Sequence, residues 1–346
     1  MTSVGADLGQ ADLLGNGQGR KPIISVSGLT KRYGEVEAVR GIDFEVMRGE
    51  TFGFLGPNGA GKTTTIKILC TLAQATSGRA TVAGHDTSTE QDKVRRMIGL
   101  VFQDTTLDSY LTAAQNLRFH AALYAVPAPA VEARMRQVLD MVGLWDRKDN
   151  LVSTYSGGMQ RRLEIARGLL HAPHVLFLDE PTVGLDPQTR SSIWAYINGL
   201  KKREDITIFL TTHYMDEAEN CDRIAIIDHG KIVAIDTPQA LKASVGKDRV
   251  QIHTADDPVA IAALADRFGI EAAVHDGAVT FSVASGEEFV PRLFATLSVP
   301  ILSVSVSRPS LDDVFMSYTG NTIRDAEASG TDAMRQMAAR WRGGRR

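Results

Sequence analysis

From Ile23 onward, short apolar runs alternate with longer segments of helical periodicity. The runs IISVSGL (23–29), GIDFEV (41–46) and TFGFLG (51–56) predict strands, followed by a helix from Gly61 to about Leu72. Strands recur at IGLVFQ (98–103), HVLFLDE (174–180), ITIFLTTH (206–213) and RIAIID (223–228), with helices between them. This alternation predicts an α/β layered core on parallel strands. Residues 104–172 break the rhythm: three helical patterns, from Thr112, Pro127 and Gly157, follow one another without a strand, which predicts an all-helical insert between two strands of the core. After Lys242 the order becomes strand (RVQIHT), helix (DPVAIAALADRFG), strand (IEAAVHD), strand (AVTFSVAS), helix (EEFVPRLFATLS), strand (VPILSVSVS). β-α-β-β-α-β is the ferredoxin-like order.

Composition narrows the class without changing that picture. A length of 346 residues predicts two domains. With 43% apolar and 23% charged residues the chain has the composition of a globular protein, and Lys+Arg 38 against Asp+Glu 41 gives no basic field for nucleic acid. Cys70 and Cys221 lie far apart with no nearby cysteine partner, so both are expected to be buried, reduced thiols rather than disulfide or zinc ligands. No apolar run approaches the roughly 20 residues of a membrane span, and the first twenty residues lack the pattern of a secretory signal. The expected compartment is therefore the cytosol or its membrane face.

The chemistry concentrates at strand ends. Gly56-Pro57-Asn58-Gly59-Ala60-Gly61-Lys62-Thr63-Thr64 follows the strand TFGFL and opens a helix, the context required of the phosphate-binding loop G-x-x-x-x-G-K-[ST]. Gly59 and Gly61 let backbone N–H groups turn inward at a helix N-terminus, where the dipole favours an anion. Lys62 would reach the β- and γ-phosphates, and the Thr63 hydroxyl would ligate Mg²⁺. The strand HVLFLDE ends in Asp179 and Glu180: the first would hold Mg²⁺, while the second projects to the other side and would act as general base on water. Ser156-Gly157-Gly158 opens a further helix and supplies a second anion-binding N-terminus.

Together these residues closely resemble the signature set of ATP-binding cassette (ABC) ATPases over about residues 23–243. Gln103 matches the family's Q-loop, Pro181 to Asp186 its D-loop, His213 its switch histidine and Tyr33 the aromatic that stacks on adenine. The resemblance implies a P-loop cassette with a mixed sheet core and a helical subdomain, binding ATP and Mg²⁺, with Gln103 joining Thr63 and Asp179 at the metal. It also implies a head-to-tail homodimer in which Ser156, Gly157, Gly158 and Asp186 of one copy complete the nucleotide site of the other. One departure is visible: where the family commonly reads L-S-G-G-Q, Tyr155 replaces Leu and Met159 replaces Gln.

The segment from Arg308 to Gly320, with Ser310-Leu311-Asp312-Asp313-Val314-Phe315, resembles the tail of the daunorubicin/doxorubicin-resistance type of drug and lipid exporters, which also favour S-G-G-M in the signature. Leu311, Val314 and Phe315 form an apolar stripe that must dock, either within the chain or across a homodimer. The resemblance implies an ATPase subunit on the cytoplasmic face of the plasma membrane, working with a separate multispanning permease. The alternative is a soluble ABC-type ATPase regulating a protein or nucleic-acid complex; an importer ATPase would need an OB-like barrel after Lys242, against which the helices there argue. The expected organisation is a mobile tail over 1–21, a nucleotide-binding domain over 22–243 with its helical subdomain at about 104–172, an α+β regulatory or dimerisation domain over 244–320, and a basic tail over 321–346. That tail places Met334, Met337 and Trp341 on one helical face, with arginines elsewhere, a pattern suited to an anionic membrane surface.

Overall fold

The computed structural model describes residues 22–203, 206–275, 277–297 and 299–319. The tails expected at 1–21 and 321–346 lie outside the described residues. Two compact units divide between Thr237 and Pro238.

In the first unit, strands β1 (Pro22–Tyr33) and β2 (Val36–Met47) form an antiparallel hairpin. Strand β3 (Thr51–Leu55) precedes helix α1 (Lys62–Leu69), and β4 (Ser77–Val82) and β5 (His85–Asp86) then return to the hairpin, giving a four-stranded sheet in the order β2-β1-β4-β5. These outer strands are antiparallel, not parallel as the alternation predicts, because a two-residue connection between β1 and β2 permits only a hairpin. Helix α2 (Gln91–Met97) leads into β6 (Ile98–Val101).

The region from 104 to 172 contains α3 (Ala113–Leu123), α4 (Ala128–Met141) and α5 (Gly157–Leu169). Its only extended pairing among the described residues is one isolated bridge between Thr112 and Leu151. Thr112 closes the start of α3 with a capping box: its hydroxyl accepts from Gln115 N–H while the Gln115 side chain accepts from Thr112 N–H. The core then resumes with β7 (Val175–Asp179), α6 (Pro187–Arg203), β8 (Thr207–Thr212), α7 (Met215–Ala218), β9 (Arg223–Asp228) and β10 (Lys231–Asp236).

The core sheet runs β10-β9-β3-β8-β7-β6, parallel except for β10. Every residue of β3, β7 and β8 is buried, which explains why apolar residues fall on both faces of these strands rather than on alternate positions: both faces of a central parallel strand are covered. Phe209 lies at the centre of the core, with the rings of Phe44, Phe52, Phe54 and Phe177 at centroid distances of 6.0, 5.7, 5.6 and 5.4 Å. Phe44 belongs to the outer sheet, so this cluster fastens the two sheets together. Phe209→Ala is expected to lower the unfolding free energy of this unit by about 3–5 kcal/mol, measured by urea titration.

The second unit begins with α8 (Pro238–Val245), earlier than the expected boundary at 243/244, because this helix packs with α11 (Leu311–Thr319). Between them lie β11 (Asp248–Thr254), α9 (Asp257–Phe268), β12 (Ala273–His275), β13 (Ala278–Val283), α10 (Gly286–Thr296) and β14 (Ile301–Ser307). The sheet is antiparallel in the order β12-β13-β11-β14, the ferredoxin-like topology. Val250, Ile252, Leu264, Val279, Phe281 and Leu293 form its core. Leu311, Val314 and Phe315 are fully buried within the chain. Cys70 and Cys221 are both free and buried, and burial pushes each thiol's pKa up. Among the described residues no helix is long and apolar enough to cross a membrane.

Candidate active site

Three neighbouring parallel strands, β3, β8 and β7, deliver their C-terminal ends to one place. Beyond β3 the chain turns through Gly56, where a Cβ would sit 2.2 Å from the Ile227 carbonyl oxygen. It reaches α1 through Gly61, which holds φ 109° and has the Ala38 carbonyl oxygen 2.5 Å from where a Cβ would be. Only glycine fits either position, since backbone cannot give way as a side-chain end can. Asn58 and Gly59 are exposed at the crest of the loop, and Pro57, Ala60 and Lys62 are buried. No side chain caps α1, so its first-turn N–H groups are open to an anion.

The Lys62 ammonium is folded back over this loop. Nζ donates to the carbonyls of Gly56 (2.6 Å) and Pro57 (3.1 Å) and pairs with Glu180 Oε1 at 3.1 Å. The Thr63 hydroxyl donates to Asp179 Oδ1 at 3.2 Å, so the two residues expected at a metal are already side by side; Thr64, next in α1, is half-buried. Glu180 follows the last residue of β7 and has φ 46°, a left-handed conformation that non-glycine residues avoid. Its carboxylate lies 3.3 Å from His213 Nδ1, close enough for an electrostatic contact but not aligned as a hydrogen bond. Burial pushes the Glu180 carboxyl up, but Lys62 and His213 outweigh it and hold the pKa below the ordinary value.

Thr211 is a member of this site that the motif reading misses. Its hydroxyl donates to Asp179 Oδ1 at 2.6 Å and accepts from the Glu180 N–H at 3.0 Å, so one side chain fixes both acidic residues. The signal in the sequence is a polar residue inside the apolar run of β8, paired directly across from Asp179. Arg161, buried in α5, is a second such residue: its guanidinium donates to the carbonyls of Asp179, Glu180 and Pro181.

Other expected residues stand apart from this cluster. Gln103 lies two residues beyond β6, is exposed, and makes no hydrogen bond to Thr63 or Asp179. Tyr33 ends β1 half-exposed, with Lys31 Nζ 4.7 Å from its ring centroid. Ser156 is the N-cap of α5, its hydroxyl accepting from Met159 N–H at 3.3 Å, with Gly157 beside it exposed and Gly158 half-buried. Tyr155, the departure from the usual Leu, is buried, and its hydroxyl donates to the Arg147 carbonyl at 2.7 Å; it serves packing in the helical insert. Asp186 begins the α6 segment and accepts from Thr189 N–H at 3.0 Å and hydroxyl at 2.6 Å, bonds that lower its pKa.

Comparison with known proteins agrees with this geometry. Residues 39–183 match the ABC transporter family, and residues 237–319 match the ATP-binding protein DrrA1-3-like, C-terminal domain. A daunorubicin resistance ATP-binding protein of Streptomyces coeruleorubidus is 40% identical over 316 residues, covering 88% of this chain and 97% of its own. A linearmycin resistance ATP-binding protein of Bacillus subtilis is 38% identical, covering 88% and 100%, and a Nod factor export ATP-binding protein of Ralstonia nicotianae 39%, covering 90% and 98%. Among solved structures, a subunit of an ABC transporter complex from Clostridium perfringens superposes with a TM-score of 0.60 at 31% identity, covering 64% of this chain and 91% of that one. A dimeric ATP-binding cassette bound to ADP and Pi superposes with a TM-score of 0.56 at 27% identity, covering 62% and 98%.

The fold and the site thus define an ATP-binding cassette that hydrolyses ATP. More narrowly, the chain belongs to the ABC transporter ATP-binding proteins of the drug-resistance and export type, with a DrrA-type C-terminal domain.

Proposed function

We propose that this ATPase powers efflux of a drug-like or lipid-like amphipathic compound through a separate multispanning permease, from the cytoplasmic face of the plasma membrane. The observation that carries this reading is the union, in one chain, of an ABC transporter cassette with a DrrA-type C-terminal domain. The helical insert supports it: Tyr110, Phe119 and Leu123 are 89%, 64% and 65% exposed, an unusual concentration of large apolar side chains. A cavity of about 230 Å³ beside them mixes Leu111, Phe119 and Leu123 with Asp108, Asn116 and Arg167 in its lining, and would suit a segment of a membrane subunit that carries both apolar and polar side chains. The basic tail over 321–346 would add contact with anionic lipid.

In this reading Tyr33 stacks on adenine and residues Gly56 to Thr64 wrap the phosphates. Lys62 leaves the loop carbonyls for the β- and γ-phosphate oxygens. The Thr63 hydroxyl and Asp179 carboxylate are hard oxygen donors that already converge, a set suited to Mg²⁺. Bound there with Gln103, the ion would neutralise charge on the β- and γ-phosphates. Glu180 accepts a proton from water as the water oxygen bonds to the γ-phosphorus and the bond to the bridging oxygen of ADP breaks, giving ADP and phosphate. His213, held beside Glu180, contacts the γ-phosphate. Ser156, Gly157, Gly158 and Asp186 act on the nucleotide of a second copy, so two chains close around two ATP molecules and hydrolysis reopens them.

The test is purification of the tagged chain from native membranes in mild detergent. A multispanning protein in stoichiometric amount is the expected companion. A soluble protein or ribonucleoprotein complex in its place would exclude the transporter assignment.

A further inference from the structure

Arg161 lies in α5, five residues after Ser156, and is 6% exposed. A guanidinium has five N–H bonds, and all five are directed at acceptors. Nε donates to the Pro181 carbonyl at 2.6 Å. Nη2 donates to the carbonyls of Asp179 at 3.2 Å and Glu180 at 3.3 Å. Nη1 donates to the Phe102 carbonyl and, at 3.0 Å, to Glu164 Oε2. Three consecutive carbonyls, 179 to 181, therefore converge on one buried cation, and the middle one belongs to the residue held in a left-handed conformation.

The same helix grips the other side of the site. Glu164 Oε1 accepts from Thr106 N–H at 2.8 Å, and Arg167 donates to the Thr106 carbonyl at 2.9 Å and to its hydroxyl. Through Phe102 and Thr106, α5 thus brackets the exposed turn that carries Gln103. The Glu180 carbonyl lies beyond the end of β7, where the Val183 N–H reaches it only at 3.4 Å, and Arg161 supplies a second donor from outside the sheet.

We propose that Arg161 is the positioning residue of the Glu180 carboxylate: by binding the carbonyls of Asp179, Glu180 and Pro181 together, it keeps a strained turn in the conformation that aims the carboxylate at the γ-phosphate. The proposal rests on Glu180 being the general base. Without the guanidinium the turn relaxes toward ordinary φ values and the carboxylate shifts, while the phosphate loop, built on β3 and α1, keeps its shape. Lysine cannot substitute, because three donors on a flexible stem cannot reproduce a planar fork of five.

The test uses the full-length chain with Arg161→Lys and, separately, the double variant Arg161→Met/Glu164→Leu. The double variant removes the Arg161–Glu164 pair together and so does not leave Glu164 as an orphan ion. Phosphate release gives kcat and KM, titration with mant-ATP gives nucleotide affinity, and thermal unfolding reports the fold. The expected result is a kcat lower by roughly 10- to 100-fold with KM and mant-ATP affinity changed less than about twofold, the split produced by a misplaced catalytic group. A kcat within about twofold of the parent in either folded variant would overturn the proposal, as would a loss of nucleotide affinity that matches the loss of kcat. Glu180→Gln, assayed alongside, separates the two levels. If it is inactive while the Arg161 variants turn over normally, only the positioning role fails; if it turns over normally, the base assignment fails and takes this proposal with it.

Discussion

Glu180→Gln is expected to lower ATP turnover by about 10²–10⁴-fold, the range supplied by a positioned proton acceptor, while ATP-dependent pairing of two chains persists. The amide keeps the size of the carboxylate, and the backbone bonds that hold this turn, from Thr211 and to Arg161, involve no atom that changes. Lys62 loses its carboxylate partner but keeps the carbonyls of Gly56 and Pro57, so the phosphate loop stays formed. Phosphate release and size-exclusion chromatography with and without ATP read the two halves of the prediction. Turnover at the parental rate would exclude Glu180 as the base. The variant should also differ in its response to acid. The Glu180 carboxyl has a folded-state pKa held below 4.5, so in the parent its contribution to stability is present above that pH and is lost as pH falls through the lowered value. Glu180→Gln lacks this component, and its unfolding free energy should fall less steeply over that interval.

Lys62→Ala is expected to weaken nucleotide binding by roughly 30- to 150-fold, equivalent to about 2–3 kcal/mol for charge-assisted bonds to phosphate. It also destabilises the nucleotide-free chain. Glu180 is left buried without its ammonium partner, and the Gly56 and Pro57 carbonyls lose a donor; together this costs about 1–3 kcal/mol. The Glu180 pKa moves up, because Lys62 is one of the groups that lower it. Titration with mant-ATP and urea unfolding of the same preparation measure both effects. An affinity within about twofold of the parent would mean that the ammonium does not reach the phosphates.

Much of this was legible in the sequence because chemistry and patterning coincide at strand ends. β3, β7 and β8 are covered on both faces, so apolar residues stand on both sides of each instead of alternating with polar ones, and the motifs beginning at Gly56, Asp179 and His213 mark where each strand stops. Where burial is partial the pattern fades. β4 is exposed over Ser77–Arg79 and β10 is only half-buried, and neither announces itself. Strand direction leaves no trace in hydrophobicity; for β1 and β2 it lay in the length of the turn between them. Thr211 and Arg161 escaped for a different reason: threonine is ordinary in a strand and arginine ordinary in a helix, and only the folded chain shows that both side chains serve the backbone and carboxylate of one turn. Gln103 and Tyr33 are the converse, prominent in the sequence yet without contact to the acidic cluster.

The order of strands in the core sheet also governs when a newly made chain acquires its site. The phosphate loop hangs from β3, near the beginning of the chain, yet the hydrogen-bonded neighbours of β3 are β8 and β9, both encoded after residue 206. During synthesis β3 waits, apolar and unpaired, while the entire helical insert is translated. Assembly dominated by such distant pairings is slow and exposes strand edges meanwhile. A ribosome halted at residue 200 would release a polypeptide that carries the phosphate-loop, signature and acidic motifs in full, but with neither partner strand for β3 and thus no nucleotide site.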